Sequence, residues 1–377
     1  MHHTLEDVCA ALEKIAPLAR AQKWDNVGLL AGDRRQIIRG ALLCIDLTPA
    51  VVDEAIRQHV GLVLAYHPPI FKPISRLIAP SAGTDALVWR CIVHGMAIYS
   101  MHTALDAAPG GTNDVIAEAC GIQKSRPIEY PIVGADPAAP HSASEHKLVV
   151  FVPAEAVERV ADAIFTAGAG RIGDYERCSF RLRGEGTFLG SDSTAPVVGK
   201  PGRYEHVSEV RLEAVTPARR LPDVIAAIYE SHPYEEPAFD IYPLSSKPRH
   251  GIGRVGNLPR PMAVAELALN LKAFADARSA QLVGTPQQRV SRAIIAVGAA
   301  GSLPFQTGLT DRDVVVTGEI RHHDALAILR HGAAAIALGH WASERPVLPS
   351  IARRLSEALA GLTIVFSTAD RDPFQSL

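Results

Sequence analysis

Short, mostly apolar runs that alternate with amphipathic segments constrain the fold of this 377-residue chain most strongly. Three such runs are residues 41–46 (ALLCID), 61–66 (GLVLAY) and 97–101 (AIYSM), and helix-like stretches lie between them. Short apolar runs separated by helices are typical of parallel strands that are buried on both faces. The same rhythm returns after residue 260, and a last long helix is predicted at 341–360. We therefore predict an α/β fold with parallel-rich sheets in both end regions of the chain.

The middle of the chain follows a different order of elements, which is strand, helix, strand, strand, helix, strand. This is the order of split βαβ units in ferredoxin-like domains. We therefore predict an α/β domain made of residues 1–128 and 250–377, interrupted by a ferredoxin-like α+β domain at 145–246. Within the insert, residues 178–182 and 186–190 are predicted as a pair of strands.

Charge balance and cysteine usage exclude several classes of function. The chain has 38 Lys and Arg against 40 Asp and Glu, so its net charge of −2 gives no overall attraction to nucleic acid or to an anionic membrane. No apolar run approaches the ~18–20 residues of a membrane span. The N-terminal segment is predicted as an amphipathic helix capped by Thr4, not as a signal peptide. Five scattered cysteines without a Cys-x-x-Cys pair favour a reducing cytoplasmic location.

Histidines and carboxylates stand where three predicted strands end. His67 follows the second apolar run, His102 and Asp106 follow the third, and His340 and Glu344 follow a run near the C-terminus. Because the carboxyl ends of strands form the ligand-binding rim of an open α/β sheet, these side chains can meet there. Imidazole and carboxylate without cysteine fit an exchangeable or catalytic metal site better than a closed structural one. A lone histidine is more often a surface or core residue, so the residues alone leave both interpretations open.

A second polar group follows the predicted strand at 313–317. Glu319, His322 and His323 are candidates for acid–base or substrate-binding groups, and helix capping with solvent exposure is an equal alternative. The glycine-rich segment 298–302 (GAAGS) also follows a strand. It can hold a phosphate with backbone N–H groups, although a tight turn is the more frequent role of such a segment.

Five motifs, in this order, carry a family resemblance. They are WDNVGL at 24–29, YHPPIF at 66–71, SMHTALDAAPGGTND at 100–114, TGEIRHHDA at 317–325 and GHWASE at 339–344. The chain resembles the Nif-three-like family of dinuclear-metal, ring-forming proteins, also described as type-two GTP cyclohydrolase-like. The middle region, which ends in HPYEEPAFDIYPL, is similar to the insert of the longer bacterial members, and that insert resembles the PII and CutA folds.

The resemblance implies two divalent metal ions per subunit, of a kind such as Zn, Fe, Mn, Ni or Co. Its motifs carry the ligand role to His67, His102, Asp106, His340 and Glu344, with Asp106 and Glu344 as shared carboxylates. The family motif has a histidine pair where this chain has Tyr66 and His67. Since tyrosine has a free pKa of ~10 and is a poor ligand at neutral pH, one ion would have fewer ligands or take a substitute such as His323.

The resemblance also implies a homohexameric ring with the inserts over its openings and a small-molecule, nucleotide-like ligand. We therefore predict a metal-dependent hydrolase or cyclohydrolase in which Glu319 or His323 moves protons. A non-catalytic metal-binding or metal-handling assembly, with regulation through the insert, is the alternative. No nucleic-acid or membrane partner is expected.

Overall fold

The structure is a computed structural model and describes residues 3–79, 83–128, 145–172, 175–244 and 251–375. By its contacts the chain forms two compact units, one made of Met1–Ile132 with Pro248–Leu377 and the other of Val133–Lys247. Among the described residues, no helix has both the length and the apolar character needed to cross a membrane.

The described residues form 16 strands and 11 α-helices. The strands are β1 His3–Thr4, β2 Gly28–Ala31, β3 Ile37–Ile38, β4 Gly40–Cys44, β5 Leu62–Ala65, β6 Ala97–Ser100, β7 Glu145–Pro153, β8 Ser179–Leu189, β9 Tyr204–Pro217, β10 Phe239–Pro243, β11 Arg254–Ala263, β12 Gln281–Val283, β13 Arg289–Ala299, β14 Asp313–Glu319, β15 Ala334–Ala337 and β16 Thr363–Phe366. The helices are α1 Leu5–Ile15, α2 Pro49–Arg57, α3 Thr84–Val93, α4 His102–Ala107, α5 Thr112–Ala119, α6 Val157–Thr166, α7 Leu221–Ser231, α8 Val264–Phe274, α9 His322–Arg330, α10 His340–Glu344 and α11 Leu348–Ala358.

The first sheet of the larger unit has the order β16-β4-β5-β6-β2. Its first four strands are parallel, and β2 joins the edge antiparallel to β6. Neighbouring residues in β4 enter different cores: Leu43 packs with α1 and α11, while Leu42 packs with α2 and α3. Burial on both faces explains why the strands appear in the sequence as unbroken apolar runs. The predicted cap of α1 is confirmed, since Thr4 and Asp7 form a capping box.

The second sheet has the order β11-β13-β14-β15-β12. Strands β13, β14 and β15 are parallel, and antiparallel strands lie at both edges. Alternate residues of β14 again enter separate cores: Val314 packs with α5 and α8, and Val315 packs with α9. The predicted α/β class with parallel-rich sheets is therefore confirmed.

The predicted helix at 341–360 is wrong as a single element. The structure has the short helix α10, a 3₁₀ turn at Arg345–Val347, and then α11. Pro346 and Pro349 lie in the first turns of the two segments that follow α10. Proline is tolerated in a first turn because the N–H that it lacks would have no partner within the helix there. The break leaves α10 as a separate turn that carries His340 and Glu344.

The smaller unit is a four-stranded antiparallel sheet in the order β10-β7-β9-β8, with α6 and α7 packed on it. This strand order confirms the predicted ferredoxin-like insert. The predicted pair of short strands at 178–182 and 186–190 is wrong, because β8 runs unbroken against β9 from Ser179 to Leu189. Gly184 and Gly186 do not interrupt the strand, since the ladder hydrogen bonds come from the backbone. Residues 129–144 and 245–250, on either side of the insert, lie outside the described residues.

Glu54 of α2 gives a prediction for acid stability. Its buried carboxylate accepts hydrogen bonds from Thr368 N–H at 3.0 Å, Thr368 Oγ1 at 2.7 Å, Ala369 N–H at 3.2 Å and Ser367 Oγ. Burial opposes the charge, but these bonds outweigh it and lower the pKa of Glu54 from 4.5 to about 2. The stabilisation should therefore be complete above pH 4.5 and be lost as the pH falls toward 2.

We expect Glu54→Gln to lower the free energy of unfolding at neutral pH by about 2 kcal/mol. The difference from the wild type should shrink as urea denaturation is repeated at lower pH. Glu357→Gln, at an exposed position on α11, is the control and should leave the pH profile unchanged. A constant difference between wild type and Glu54→Gln at every pH would contradict the assignment.

Candidate metal centre

Three histidines meet where strands of the two sheets end. His67 lies two residues after β5, His102 opens α4 just after β6, and His340 opens α10 after β15. The ring centroid of His67 lies 5.3 Å from that of His102 and 5.4 Å from that of His340. His67 and His102 follow neighbouring parallel strands of the first sheet, as the rim of an α/β sheet predicts, whereas His340 follows β15 of the second sheet and is brought beside them by packing.

Glu344 lies between two of these imidazoles. Its Oε1 is 3.2 Å from His340 Nε2, and its Oε2 is 3.2 Å from His67 Nε2. The side chain is only 4% exposed, yet Oε2 has no hydrogen-bond partner among the described residues. The donor atoms of His67, His340 and Glu344 all lie within 4.8 Å of one another. A buried carboxylate oxygen without a partner is costly unless a cation or a donor completes it.

Each of the three histidines has a carboxylate behind it. His67 Nδ1 lies 2.9 Å from Asp46 Oδ1, and His102 Nδ1 lies 2.9 Å from Asp25 Oδ1. His340 Nδ1 is 3.4 Å from Glu319 Oε1. A carboxylate on Nδ1 fixes the tautomer, which leaves Nε2 as the free electron-pair donor and is the usual outer partner of a metal-binding histidine.

The charges in this group perturb one another. Burial disfavours the charged form of His67, but Asp46 and Glu344 outweigh it and raise the pKa of His67 to about 10. Glu344 raises the pKa of His340 as well. In return, the two imidazoles lower the pKa of Glu344 in spite of its burial. The Glu344 carboxylate therefore favours the charged form of both imidazoles, and they in turn favour its own charged form.

The surroundings of Tyr66 favour a hydrogen-bonding role over a metal-ligand role. Its ring is buried, and its hydroxyl donates a hydrogen bond to Asp106 Oδ1 at 2.6 Å. Burial and the neighbouring carboxylates of Asp106 and Glu344 raise the pKa of Tyr66, so the phenol stays a proton donor. Burial also raises the pKa of Asp106 to about 6, although the bond from Tyr66 opposes this. Tyr66 therefore positions the predicted ligand Asp106.

The two predicted acid–base residues lie in different surroundings. Glu319 ends β14 and approaches His340, as described above. His323 is exposed at the start of α9, and among the contacts of the described residues its ring neighbour is His322, with centroids 5.5 Å apart. Within those contacts the structure thus gives Glu319, and not His323, a place against the predicted ligands.

The backbone around the candidate ligands is closely packed at two glycines and strained at His102. A Cβ added to Gly298 would overlap Glu344 Oε1, and one added to Gly318 would lie 2.7 Å from Ser343 Oγ. His102 has a φ of 26°, which is rare for a residue with a side chain. Strain of this kind persists where the surrounding structure fixes it, and functional sites are common places for it.

Sequence reasoning missed the carboxylates that contact Nδ1 of two of the histidines, Asp25 and Asp46. Asp25 lies in the quoted WDNVGL motif and Asp46 ends the first apolar run, but neither received a role. Asp46 had the clearer sequence signal, because it occupies a strand end like the histidines.

A C-terminal loop supports this region: Asp370 accepts hydrogen bonds from Ile45 N–H at 2.8 Å and from Trp341 Nε1 at 3.0 Å.

The donor set fits divalent metal ions. It offers three imidazoles, two of them hydrogen-bonded to a carboxylate through Nδ1, a buried carboxylate with an unpaired oxygen, and a second carboxylate at Asp106. Nitrogen and oxygen donors without a thiolate suit Zn, Fe, Mn, Ni or Co. His102 and Asp106 lie next to the three-residue group rather than within it, so their ligand role stays a prediction.

Comparison with known proteins identifies the family. The family model for Duf34/NIF3 (NGG1p interacting factor 3) matches residues 3–373. The chain belongs to the Duf34/NIF3 family. This confirms the resemblance drawn from the five sequence motifs.

Relatives within the Duf34/NIF3 family cover nearly the whole chain. A Mycobacterium leprae protein named "GTP cyclohydrolase 1 type 2 homolog" is 38% identical over 350 residues, which are 92% of this chain and 88% of that protein. A Bacillus subtilis protein with the same name is 34% identical and covers 99% of this chain and 98% of its own length. Among solved structures, a Bacillus cereus protein related to NIF3 has 31% identity and a TM-score of 0.65, covering 100% of this chain and 99% of its own. A Staphylococcus aureus protein has 26% identity and a TM-score of 0.64, with the same coverage.

Proposed function

We propose that this protein binds two divalent metal ions and acts as a metal-dependent hydrolase or cyclohydrolase on a nucleotide-like substrate. The observation that carries the proposal is the buried Glu344 carboxylate, whose Oε2 has no hydrogen-bond partner although it lies between His67 and His340. The names of the relatives, which refer to GTP cyclohydrolase 1 type 2, support the substrate class.

In this proposal His67, His340 and Glu344 would hold one ion, and His102 and Asp106 would hold the second. Bound divalent ions would supply Lewis acidity and would lower the pKa of water toward neutrality. Asp46 and Asp25 orient the imidazoles of His67 and His102 through Nδ1.

Proton transfer falls to groups beside the ligands. Glu319 is more than half exposed and lies next to His340, so its carboxylate is accessible as a proton acceptor. Tyr66 keeps its proton and holds Asp106 in place. We propose Glu319, ahead of His323, as the acid–base residue.

The proposal is tested by elemental analysis of the purified protein together with assays on a panel of nucleotides that includes GTP. We expect roughly two ions per wild-type chain and loss of about one in His67→Ala, because that ion would lose one of its few protein ligands. Turnover of the nucleotide substrate should stop when a chelator removes the metal and return when the metal is restored.

His94→Ala is the matched control. His94 is an exposed histidine whose Nδ1 contacts Arg90 O at the end of α3, so its loss should leave the metal content unchanged. Full metal retention in His67→Ala would contradict the ligand assignment. A fully loaded protein that turned over no nucleotide would contradict the hydrolase and favour the non-catalytic metal-handling alternative.

A further inference from the structure

A cavity of about 390 Å³ opens directly onto the candidate metal centre. Four of the predicted ligands, His102, Asp106, His340 and Glu344, lie in its wall. Its volume lies within the range of small-molecule sites. A group bound in the cavity would therefore lie beside the metal ligands, and the other residues of the wall decide which chemistry it accepts.

The remainder of the wall is uncharged. It contains the polar side chains of Gln22, Thr103, Asn113, Ser302 and Gln306, and the rest is apolar. No lysine or arginine is among the described residues that line it. Protein sites for phosphate groups usually supply arginine, lysine or a helix N-terminus. These side chains thus suit a neutral group, and they offer no cation to an anionic part of a substrate, which would depend on the metal ions.

Trp24 is the large aromatic residue of this wall, and it is 60% exposed. Its ring centroid lies 6.1 Å from that of His102 and 6.0 Å from that of Phe71, and both contacts are edge-to-face. Exposing this much indole surface is unfavourable in water. A flat ring that stacked on Trp24 would cover it, and aromatic side chains commonly bind planar groups in this way.

The segment that carries Trp24 is fixed to the metal centre on both sides. Gln22 N–H donates to Thr103 Oγ1 at 2.9 Å, and the neighbouring Asp25 binds His102 Nδ1 at 2.9 Å. Asn26 Nδ2 donates to Ile70 O, which joins the segment to the loop after His67. Because these bonds hold the backbone before and after Trp24, the indole occupies a defined position and little ordering is needed when a ligand binds.

Gln22 and Gln306 provide edge contacts. Among the described residues, neither side-chain amide has a hydrogen-bond partner, whereas the Asn113 amide is already bonded to Val297 N–H and Asp106 O. A free amide offers both a donor and an acceptor. This combination suits the mixed donors and acceptors on the edge of a nitrogen heterocycle.

We infer that Trp24 is the stacking platform of a site for a flat, uncharged nitrogen heterocycle, and that the cavity itself does not recognise phosphates. The inference deepens the proposed function, and any role of this site in turnover rests on that function. It assigns the ring of the substrate to Trp24, Gln22 and Gln306, and leaves its anionic groups to the metal ions.

Calorimetric titration of the purified full-length protein with guanosine, adenosine and inorganic tripolyphosphate tests the inference. Trp24→Leu should weaken nucleoside binding at least about tenfold, and Trp24→Phe should retain most of it, because base–aromatic stacking needs a ring. The affinity for tripolyphosphate should be the same in wild type and Trp24→Leu. Trp89→Leu is the matched control, since Trp89 is a partly exposed tryptophan on α3 that does not line the cavity.

Metal content measured on the same samples separates the two hypotheses. A metal-loaded Trp24→Leu protein that binds nucleosides as well as the wild type would overturn the inference and leave the proposed function standing. Failure of the wild type to bind either nucleoside at millimolar concentration would also overturn it. The purified wild type could also contain no metal and still bind nucleosides in a way that depends on Trp24. The binding would then support the stacking platform, and the missing metal would count against the metal-dependent function.

Discussion

Glu344→Gln should remove metal from the centre while leaving the fold intact. The amide keeps the shape of the side chain but has no negative charge, and it places an N–H₂ group where a carboxylate oxygen now lies 3.2 Å from each imidazole. Removal of a residue that only hydrogen-bonds to a metal ligand typically lowers metal affinity by about 10–100-fold. We therefore expect loss of a ligand itself to weaken binding by at least about 100-fold, measured by competition with a chromogenic chelator.

Glu357→Gln is the control for Glu344→Gln, because Glu357 is an exposed carboxylate paired with Arg353 at 3.7 Å on α11. Its metal affinity should equal that of the wild type. Thermal unfolding of metal-free samples supplies a second readout. If Glu344 served only as the centre of a buried ion pair, Glu344→Gln would bind metal normally and its effect would be confined to stability.

Arg254→Met should cause the largest loss of stability among single substitutions at buried charges of the larger unit. Arg254 is 2% exposed, and its guanidinium donates to Asp114 at 2.5 and 2.8 Å. It also donates to the carbonyl oxygens of Gly251, Gly253 and Ala108 at 2.6, 2.7 and 3.2 Å. Methionine fills a similar volume but leaves the carboxylate and the carbonyls without their donor. Breaking a buried pair in this way typically costs about 3–5 kcal/mol.

Urea denaturation of the purified variant measures this loss. Arg260→Met is the control, since Arg260 forms an exposed ion pair with Glu266 and should change the free energy of unfolding by less than about 1 kcal/mol. Arg254→Lys should recover only part of the stability, because a single ammonium cannot reproduce the fork of donors. An Arg254→Met midpoint equal to that of the wild type would show that the carbonyls find other donors.

The strands of the α/β unit were predictable because their burial pattern is local. Residues 61–66 appear as one apolar run since both faces of β5 are covered, and β5 occupies Leu62–Ala65 within it. The antiparallel edge strands β2, β11 and β12 were not predicted. β2 and β11 carry polar or glycine residues and become strands because a neighbouring strand offers its backbone groups. Pairing of this kind depends on a partner that is distant in sequence.

The two wrong element predictions have different causes. The segment from 178 to 190 is predicted as two short strands, but the continuous partner β9 keeps β8 in register across Gly184 and Gly186. The helical pattern at 341–360 predicts one helix, but two prolines divide the segment into α10 and α11. In the first case the tertiary partner outweighed local propensity, and in the second a local signal was overlooked.

The sequence by itself determined which side chains stand at the strand ends, and so that His67, His102 and His340 were able to meet. It also determined the family, since five ordered motifs span the chain. Only the tertiary structure decided that Asp46 and Asp25 lie behind two of these histidines, that Tyr66 binds Asp106, and that Trp24 faces a cavity. Strand position follows from local burial, whereas the partner of a side chain depends on how separate elements pack together.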